Sequence, residues 1–142
     1  MIYIDTSFLV PLVLPEATSD RVAALVGRLP IGELAVSHWT LVEFSSLIAR
    51  KVRAGELDVE GSARAGARVE AEVEQSFAVL LPSLRDFVLA KRYLGNFETG
   101  LRAPDALHLA IASNRDATAF YTLDNRLIAA GKILDLPVSA GI

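Results

Sequence analysis

Four acidic residues fall where carboxylates can do chemistry. Asp5 follows directly on the apolar run Ile2-Tyr3-Ile4, and Asp124 closes the stretch Tyr121-Thr122-Leu123-Asp124 behind another apolar run. Asp105 stands immediately after Pro104, and Glu43 three residues after Thr40. Gathered into one pocket, these carboxylates would repel, and some would take up protons unless a cation intervened. Hard divalent cations take oxygen ligands, and Mg²⁺ keeps several waters while using one or two carboxylates. The chain has no cysteine and two histidines, which argues against a soft-metal site. Mg²⁺ or Mn²⁺ suits the set. One such ion, or a pair, lowers the pKa of a water and polarises a phosphoryl oxygen, the chemistry of phosphodiester hydrolysis. A protein that holds nucleic acid by charge alone is usually strongly basic, whereas this chain carries a net charge of −3. Bound cations would let an acidic pocket accept phosphate all the same.

Each acid also has a plain structural reading. Asp5 could cap the segment after it. Glu43 could be the partner of Thr40 in a T-x-x-E capping box. Asp105 could complement a helix dipole, and Asp124 before Asn125 is ordinary turn chemistry. What speaks for a shared role is that all four fall at strand ends or helix N-termini, where α/β sheets bind ligands.

The elements that would position them alternate between strand and helix. Ile2–Ile4 reads as a buried strand, and Pro11 and Pro15 punctuate the residues after it. Thr18-Ser19-Asp20 offers caps for a helix through Leu29, ended by Pro30 and Gly32. Leu34–Ser37 is a second strand. Thr40 can cap a helix from Leu41 to about Ala54, with Arg50, Lys51 and Arg53 near its end, where cations suit the dipole. Asp58 opens a third helix with Val69, Val73 and Phe77 along one stripe. Ala78–Leu81 is a strand, Leu84–Tyr93 a helix and Gly95–Arg102 a loop. Pro104, a first-turn proline, begins a helix to about Arg115. Ala119–Thr122 is a strand, Leu127–Lys132 a short helix, and Pro137-Val138 an edge strand. Such alternation predicts a parallel sheet covered on both faces. At 142 residues the expectation is one domain, 1–142. No apolar run approaches the roughly 20 residues of a membrane span. The opening residues carry no secretory pattern. An intracellular, cytoplasmic protein is expected.

With these motifs in order, the chain resembles the PIN domains, and among them the VapC-type toxins. Ile4-Asp5-Thr6-Ser7 looks like the opening of that family, and Thr40-Leu41-Val42-Glu43-Phe44 like its second motif. The run from Leu101 through Arg102, Pro104, Asp105 and His108 to Ala110 is very similar to the third. Thr122-Leu123-Asp124-Asn125-Arg126-Leu127 is similar to the fourth, with Leu127 where the family often has an aromatic. The resemblance implies a PIN-like three-layer α/β/α sandwich with a central, mostly parallel sheet. It implies an endoribonuclease dependent on Mg²⁺ or Mn²⁺, with Asp5, Glu43 and Asp105 at the core of the metal site and Asp124 completing it. Thr6 would orient Asp5 or a bound water, and Thr122 would place a hydroxyl near Asp124. It further implies the toxin of a toxin–antitoxin pair, cutting RNA, silenced by a VapB-like antitoxin and homodimeric.

Other residues have two readings each. His108, three positions after Asp105 on one helix face, could contact substrate or tune Asp105, or be a buried histidine bonded to a neighbour. Arg102 could hold a phosphate or pair with an acid. His38 and Trp39 could stack on bases or pack. Arg50, Lys51, Arg53, Arg64 and Arg68 could form a basic rim or a solvated face. The apolar Leu9, Val10, Leu12, Val13 and Leu14 could serve a partner groove or the core. Two rivals remain at this point. One is a non-catalytic PIN-like binding module. The other is a phosphohydrolase or receiver-like domain, for which the second Asp of a D-x-D-x-T motif is lacking after Asp5.

Overall fold

The computed structural model describes residues 1–30 and 32–142. All three residues of Ile2–Ile4 (β1) are buried, as are all four of Leu34–Ser37 (β2), the pattern of strands covered on both faces. Ala78–Leu80 (β3), Ala119–Tyr121 (β4) and Val138–Ser139 (β5) complete a sheet of order β3-β2-β1-β4-β5. Every neighbouring pair is parallel. The short Val138–Ser139 strand lies at an edge, as its proline-led sequence suggests.

Strand pleating sends alternate side chains to opposite faces, and the core divides accordingly. Ile2, Ile4 and Val36 pack with Phe8, Leu9, Phe44 and Val73. Tyr3 and Phe120 pack on the other face with Leu109, Ile111 and Leu127. The first cluster draws on Thr6–Val13 (α1), Ser19–Val26 (α2), His38–Arg53 (α3) and Val59–Ser76 (α4). The second draws on Leu84–Leu94 (α5), Ala103–Ser113 (α6) and Asn125–Ile133 (α7). The result is the α/β/α sandwich.

The chain runs outward from β1 through β2 to β3, then returns to the far side of β1 for β4. Parallel crossovers are almost always right-handed, so reversing the direction of travel moves the connecting helices to the opposite face. That reversal opens a crevice beyond the C-terminal ends of β1 and β4.

Two local readings need correction. Thr6–Val13 is a helix despite Pro11 inside it, where the sequence suggested only proline punctuation. Pro11 forfeits one backbone hydrogen bond, but Phe8, Leu9, Val10 and Val13 are all buried on this short helix, and that burial decides. Helix α3 begins at His38 rather than Leu41, capped by Ser37, with Thr40 as the reciprocal partner of Ser37 in the capping box. Glu43 therefore lies in the second turn and is no capping partner of Thr40. Elsewhere the ends shift by a few residues: α2 stops at Val26 rather than Leu29, and a 3-10 turn, Phe97–Thr99, interrupts the loop before α6.

Candidate functional site

A cleft of about 410 Å³ is lined by Asp5, Thr6, Ser7, Glu43, Ser46, Leu47, Arg50, Asp105, His108 and Asp124. All four acids singled out by their positions thus line one cavity, at the crevice that the strand order opens. The topology accounts for each. Asp5 follows β1 and caps α1, and Asp124 follows β4 and caps α7. Asp105 sits in the first turn of α6. Glu43 reaches the cleft from α3, with Ser46, Leu47 and Arg50 following at three-, four- and seven-residue spacing on one helix face.

The carboxylates differ in how far protein donors occupy them. Asp5, 5 % exposed, accepts from Ser7 Oγ at 2.8 Å and Phe8 N at 3.0 Å on Oδ1, and from Thr122 Oγ1 at 2.6 Å on Oδ2. A carboxylate has about four lone-pair sites, so Asp5 keeps little spare capacity. Glu43 Oε2 accepts from Thr6 Oγ1 at 2.6 Å and meets His108 Nε2 at 2.5 Å, while Oε1 takes no hydrogen bond among the described residues. Asp124 Oδ1 accepts from Arg126 N at 2.8 Å, with Arg126 Nη2 at 3.5 Å from Oδ2. Among the described residues Asp105 receives no hydrogen bond on its carboxylate, and only burial and neighbouring charges act on it.

These surroundings set the acidities. Burial pushes the Asp5 carboxyl above the ordinary carboxylate range, and the opposing pull of His108, Thr122 and Ser7 does not cancel it. Burial also lifts Asp105, reinforced by the charges of Asp124 and Glu43 against the opposite influence of His108 and Arg126. For Glu43 burial acts upward too, but the hydrogen bond and charge of His108, with Thr6 and Arg50, outweigh it and hold the carboxyl low. The cleft thus favours the charged form of Glu43 and sets Asp105 in a repulsive field, without a hydrogen-bond donor among the described residues. Such a perturbed set in a cleft marks a functional site.

The supporting residues differ in part from the sequence reading. Thr6 bonds Glu43, not Asp5; Asp5 takes one hydroxyl from Ser7, which sequence reasoning missed, and another from Thr122. Thr122 donates to Asp5 and accepts from Asp124 N at 3.0 Å, tying the ends of β1 and β4 together. Each hydroxyl has one proton. Those of Ser7 and Thr122 both go to Asp5, so their mutual 3.1 Å approach is a contact without a proton of its own. His108 is 2 % exposed and bonds Glu43 and Tyr3 rather than Asp105. Both ring nitrogens are engaged, so it would meet a substrate only by giving one of them up. Arg102 is exposed before α6 and does not line the cleft, whereas Arg50 does. Lys51 and Arg64 pair with Glu56 and Glu60. Trp39 packs against the α6 side of the core, with its Nε1 buried and unpartnered. Leu127 is buried in the same cluster, so the apolar anchor after Asp124 is kept.

Among the described residues no group of three or more His, Asp or Glu side chains stands where it could hold a metal ion. Asp5 and Glu43 both accept hydrogen bonds from protein donors. The site still suits a hard cation of the Mg²⁺ kind, which needs one or two carboxylates and completes its shell with water. Asp105 offers a free carboxylate, Glu43 a free oxygen, and the field around Asp105 favours a positive charge.

A protein-family model for the PIN domain matches residues 2–133. The chain belongs to the PIN domain family. PIN domains are generally nucleases. The fold is also that of several solved structures of this kind. The VapC20 toxin of Mycobacterium tuberculosis, described as cleaving the sarcin-ricin loop, is 22 % identical with a TM-score of 0.74, over 92 % of this chain and 95 % of that one. FitAcB from Neisseria gonorrhoeae is 20 % identical with a TM-score of 0.71, over 99 % and 98 %. VapBC-1 from nontypeable Haemophilus influenzae is 20 % identical with a TM-score of 0.72, over 99 % and 98 %. No curated protein matches the chain. Among the described residues no helix is long and apolar enough to cross a membrane.

Proposed function

We propose that this PIN domain, residues 1–142 acting as one unit, is a Mg²⁺- or Mn²⁺-dependent endoribonuclease and the toxin of a VapBC-type toxin–antitoxin pair. The observation that carries the reading is Asp105. Among the described residues its carboxylate has no hydrogen-bond donor, and it faces a cleft in which Asp124 and Glu43 raise its proton affinity. A protein gains no stability from that arrangement, and a cation removes its cost. Asp105 and the free oxygen of Glu43 would hold the ion, with Asp124 and the remaining capacity of Asp5 completing its surroundings, partly through water. When bound, the ion supplies polarisation of a phosphoryl oxygen and a lowered pKa for an attacking water. The chain's own residues do the positioning. Thr6 and His108 hold Glu43; Ser7, Thr122 and the α1 N-terminus hold Asp5. Arg50 in the cleft, with Arg126 and Arg102 exposed at the starts of α7 and α6, offers the backbone phosphates of RNA the positive charge that the chain as a whole lacks.

The partners follow the same reading. Solved neighbours of the same fold include VapBC and FitAB complexes, which supports a VapB-like antitoxin as the silencing partner in the cytoplasm. Leu84, Phe87 and Val88 on α5 stand more than half exposed, with Leu81 just before them. An apolar patch of that kind marks an interaction surface and supports a homodimer.

The rival to exclude is a non-catalytic PIN-like binding module on the same fold. A single assay separates the two. Purified protein stripped of metal by chelation is expected to leave RNA intact and to cleave it when millimolar Mg²⁺ or Mn²⁺ is restored. Cleavage that persists in excess chelator would overturn the metal dependence, and no cleavage with either ion against any cellular RNA fraction would rule the nuclease reading out.

A further inference from the structure

The cleft rests on a buried polar chain that its own chemistry does not call for. Tyr3, in the middle of β1, is fully buried, yet it carries a hydroxyl into the core. That hydroxyl lies 2.8 Å from His108 Nδ1, 2.8 Å from Ser37 Oγ and 3.3 Å from Thr40 Oγ1. On the far side of the imidazole, His108 Nε2 meets Glu43 Oε2. A phenylalanine would fill the same space, tilted against Phe120, whose ring centroid is 5.2 Å away. The hydroxyl must be satisfied by partners, or it costs about 1–3 kcal/mol, so its presence in the core asks for a reason.

Proton accounting gives the chain a direction. Glu43 Oε2 is an acceptor, so His108 Nε2 must carry a proton; a bare nitrogen there would set its lone pair against a carboxylate. Ser37 Oγ accepts from Thr40 N, and Thr40 Oγ1 accepts from Ser37 N, which leaves both hydroxyl protons free to point at Tyr3 Oη. A neutral His108 ring accepts from Tyr3 at Nδ1, and a charged ring donates from Nδ1 to Tyr3 Oη, whose own proton then turns to Ser37 Oγ. In both states Nε2–H points at Glu43. The ring is gripped at both nitrogens and cannot flip.

We infer that Tyr3 is a positioning residue for Glu43. Its hydroxyl, oriented by the Ser37–Thr40 capping box of α3, fixes the His108 ring so that Nε2–H pins one oxygen of Glu43 and leaves the other facing the cleft. The helix that carries Glu43 thus sets, through its own cap and across β1, the side-chain orientation of the acid one turn further on. The purpose assigned to this relay rests on the cation-dependent reading of the cleft; the relay itself does not.

Tyr3→Phe tests it, because the substitution keeps the ring and leaves the Ser37 and Thr40 hydroxyls 3.1 Å apart to bond each other. In the wild type, a ring N–H proton resonance coupled to nitrogen-15 is expected from His108. The other histidine, His38, is exposed and loses its ring proton signal to water exchange. Tyr3→Phe is expected to broaden or abolish the His108 signal and to weaken Mn²⁺ binding, measured by calorimetry, by roughly 10-fold, the lower end of what loss of the partner directly behind a ligand costs. Its circular dichroism should match the wild type. A Tyr3→Phe protein that keeps both the resonance and the wild-type affinity overturns the inference. So does a wild type in which the His108 ring proton exchanges as fast as that of His38, a result that needs no variant. A wild type that shows the slow ring proton but takes up no ion leaves the relay standing and defeats the nuclease reading.

Discussion

Asp105→Asn is expected to reduce RNA cleavage by at least about a hundredfold while leaving the protein as stable as the wild type in the absence of divalent cations, or more so. Loss of a residue behind a metal ligand costs roughly 10–100-fold, and Asp105 is argued to be a ligand itself. The stability half rests on the pKa. A folded-state value raised above the unfolded one means that the ionised group opposes folding at neutral pH, and that the opposition fades as pH falls through the folded value. The amide has no charge to bury and none for Asp124 and Glu43 to repel. Thermal melts should also separate the proteins with Mn²⁺ present. The wild type gains stability by mass action of the bound ion, and the variant gains little. A variant that loses activity only because it unfolds would contradict this role for Asp105.

Asp86 shows the opposite behaviour. It is fully buried, and its carboxylate accepts from Ser83 N at 2.7 Å, Asn114 Nδ2 at 2.7 Å and Arg115 Nη1 at 3.1 Å. These bonds join the start of α5 to the end of α6, the helix that carries Asp105 and His108. Burial pushes the Asp86 carboxyl upward, but Asn114, Ser83 and Arg115 together bring it below the usual value. Removing one partner of a buried pair typically costs about 3–5 kcal/mol. Arg115 is a quarter exposed and keeps a bond to Leu81 O at 2.6 Å, so the lower end applies. Asp86→Ala should lose about 3 kcal/mol, a drop in melting temperature of roughly 10 °C. Below its own unfolding temperature it should retain wild-type cleavage per folded molecule. The sign of the pH effect is fixed as well. A depressed folded pKa contributes stability above the unfolded value, and that stability is lost as pH falls below about 4. The wild type should therefore lose stability more steeply in that range than Asp86→Asn.

Much of the architecture was legible because strands buried on both faces are short apolar runs and their ends are marked by acids and caps. Ile2–Ile4 before Asp5 is such a case, and so is Leu34–Ser37. Asp5, Asp105 and Asp124 were legible for the same reason, since each follows a strand or opens a helix, whereas Glu43 was placed by a helix start that proved to lie three residues earlier. Helix α1 was not, because Pro11 and Pro15 read as breakers and the burial that overrides Pro11 is tertiary. The start of α3 was misplaced because Ser37 and Thr40 are both good caps, and only the reciprocal bond between them decides which one serves. The contacts around the acids were the least legible. Thr6 belongs to Glu43, 37 positions away, and His108 to Glu43, 65 positions away, so no local spacing could reveal either. Arg50 carried a usable signal, seven residues from Glu43 on one helix face. Arg102 drew attention instead by lying close to Asp105 in sequence.

The central claim is that the cleft between β1 and β4 holds a divalent cation on Asp105. Crystals soaked in Mn²⁺ and measured for anomalous scattering test it most directly. A peak is expected in the cleft with an Asp105 oxygen at about 2.1 Å, and Glu43 or a bridging water beside it. A catalytically active crystal form with no peak there, or with Mn²⁺ bound only elsewhere on the surface, would contradict it.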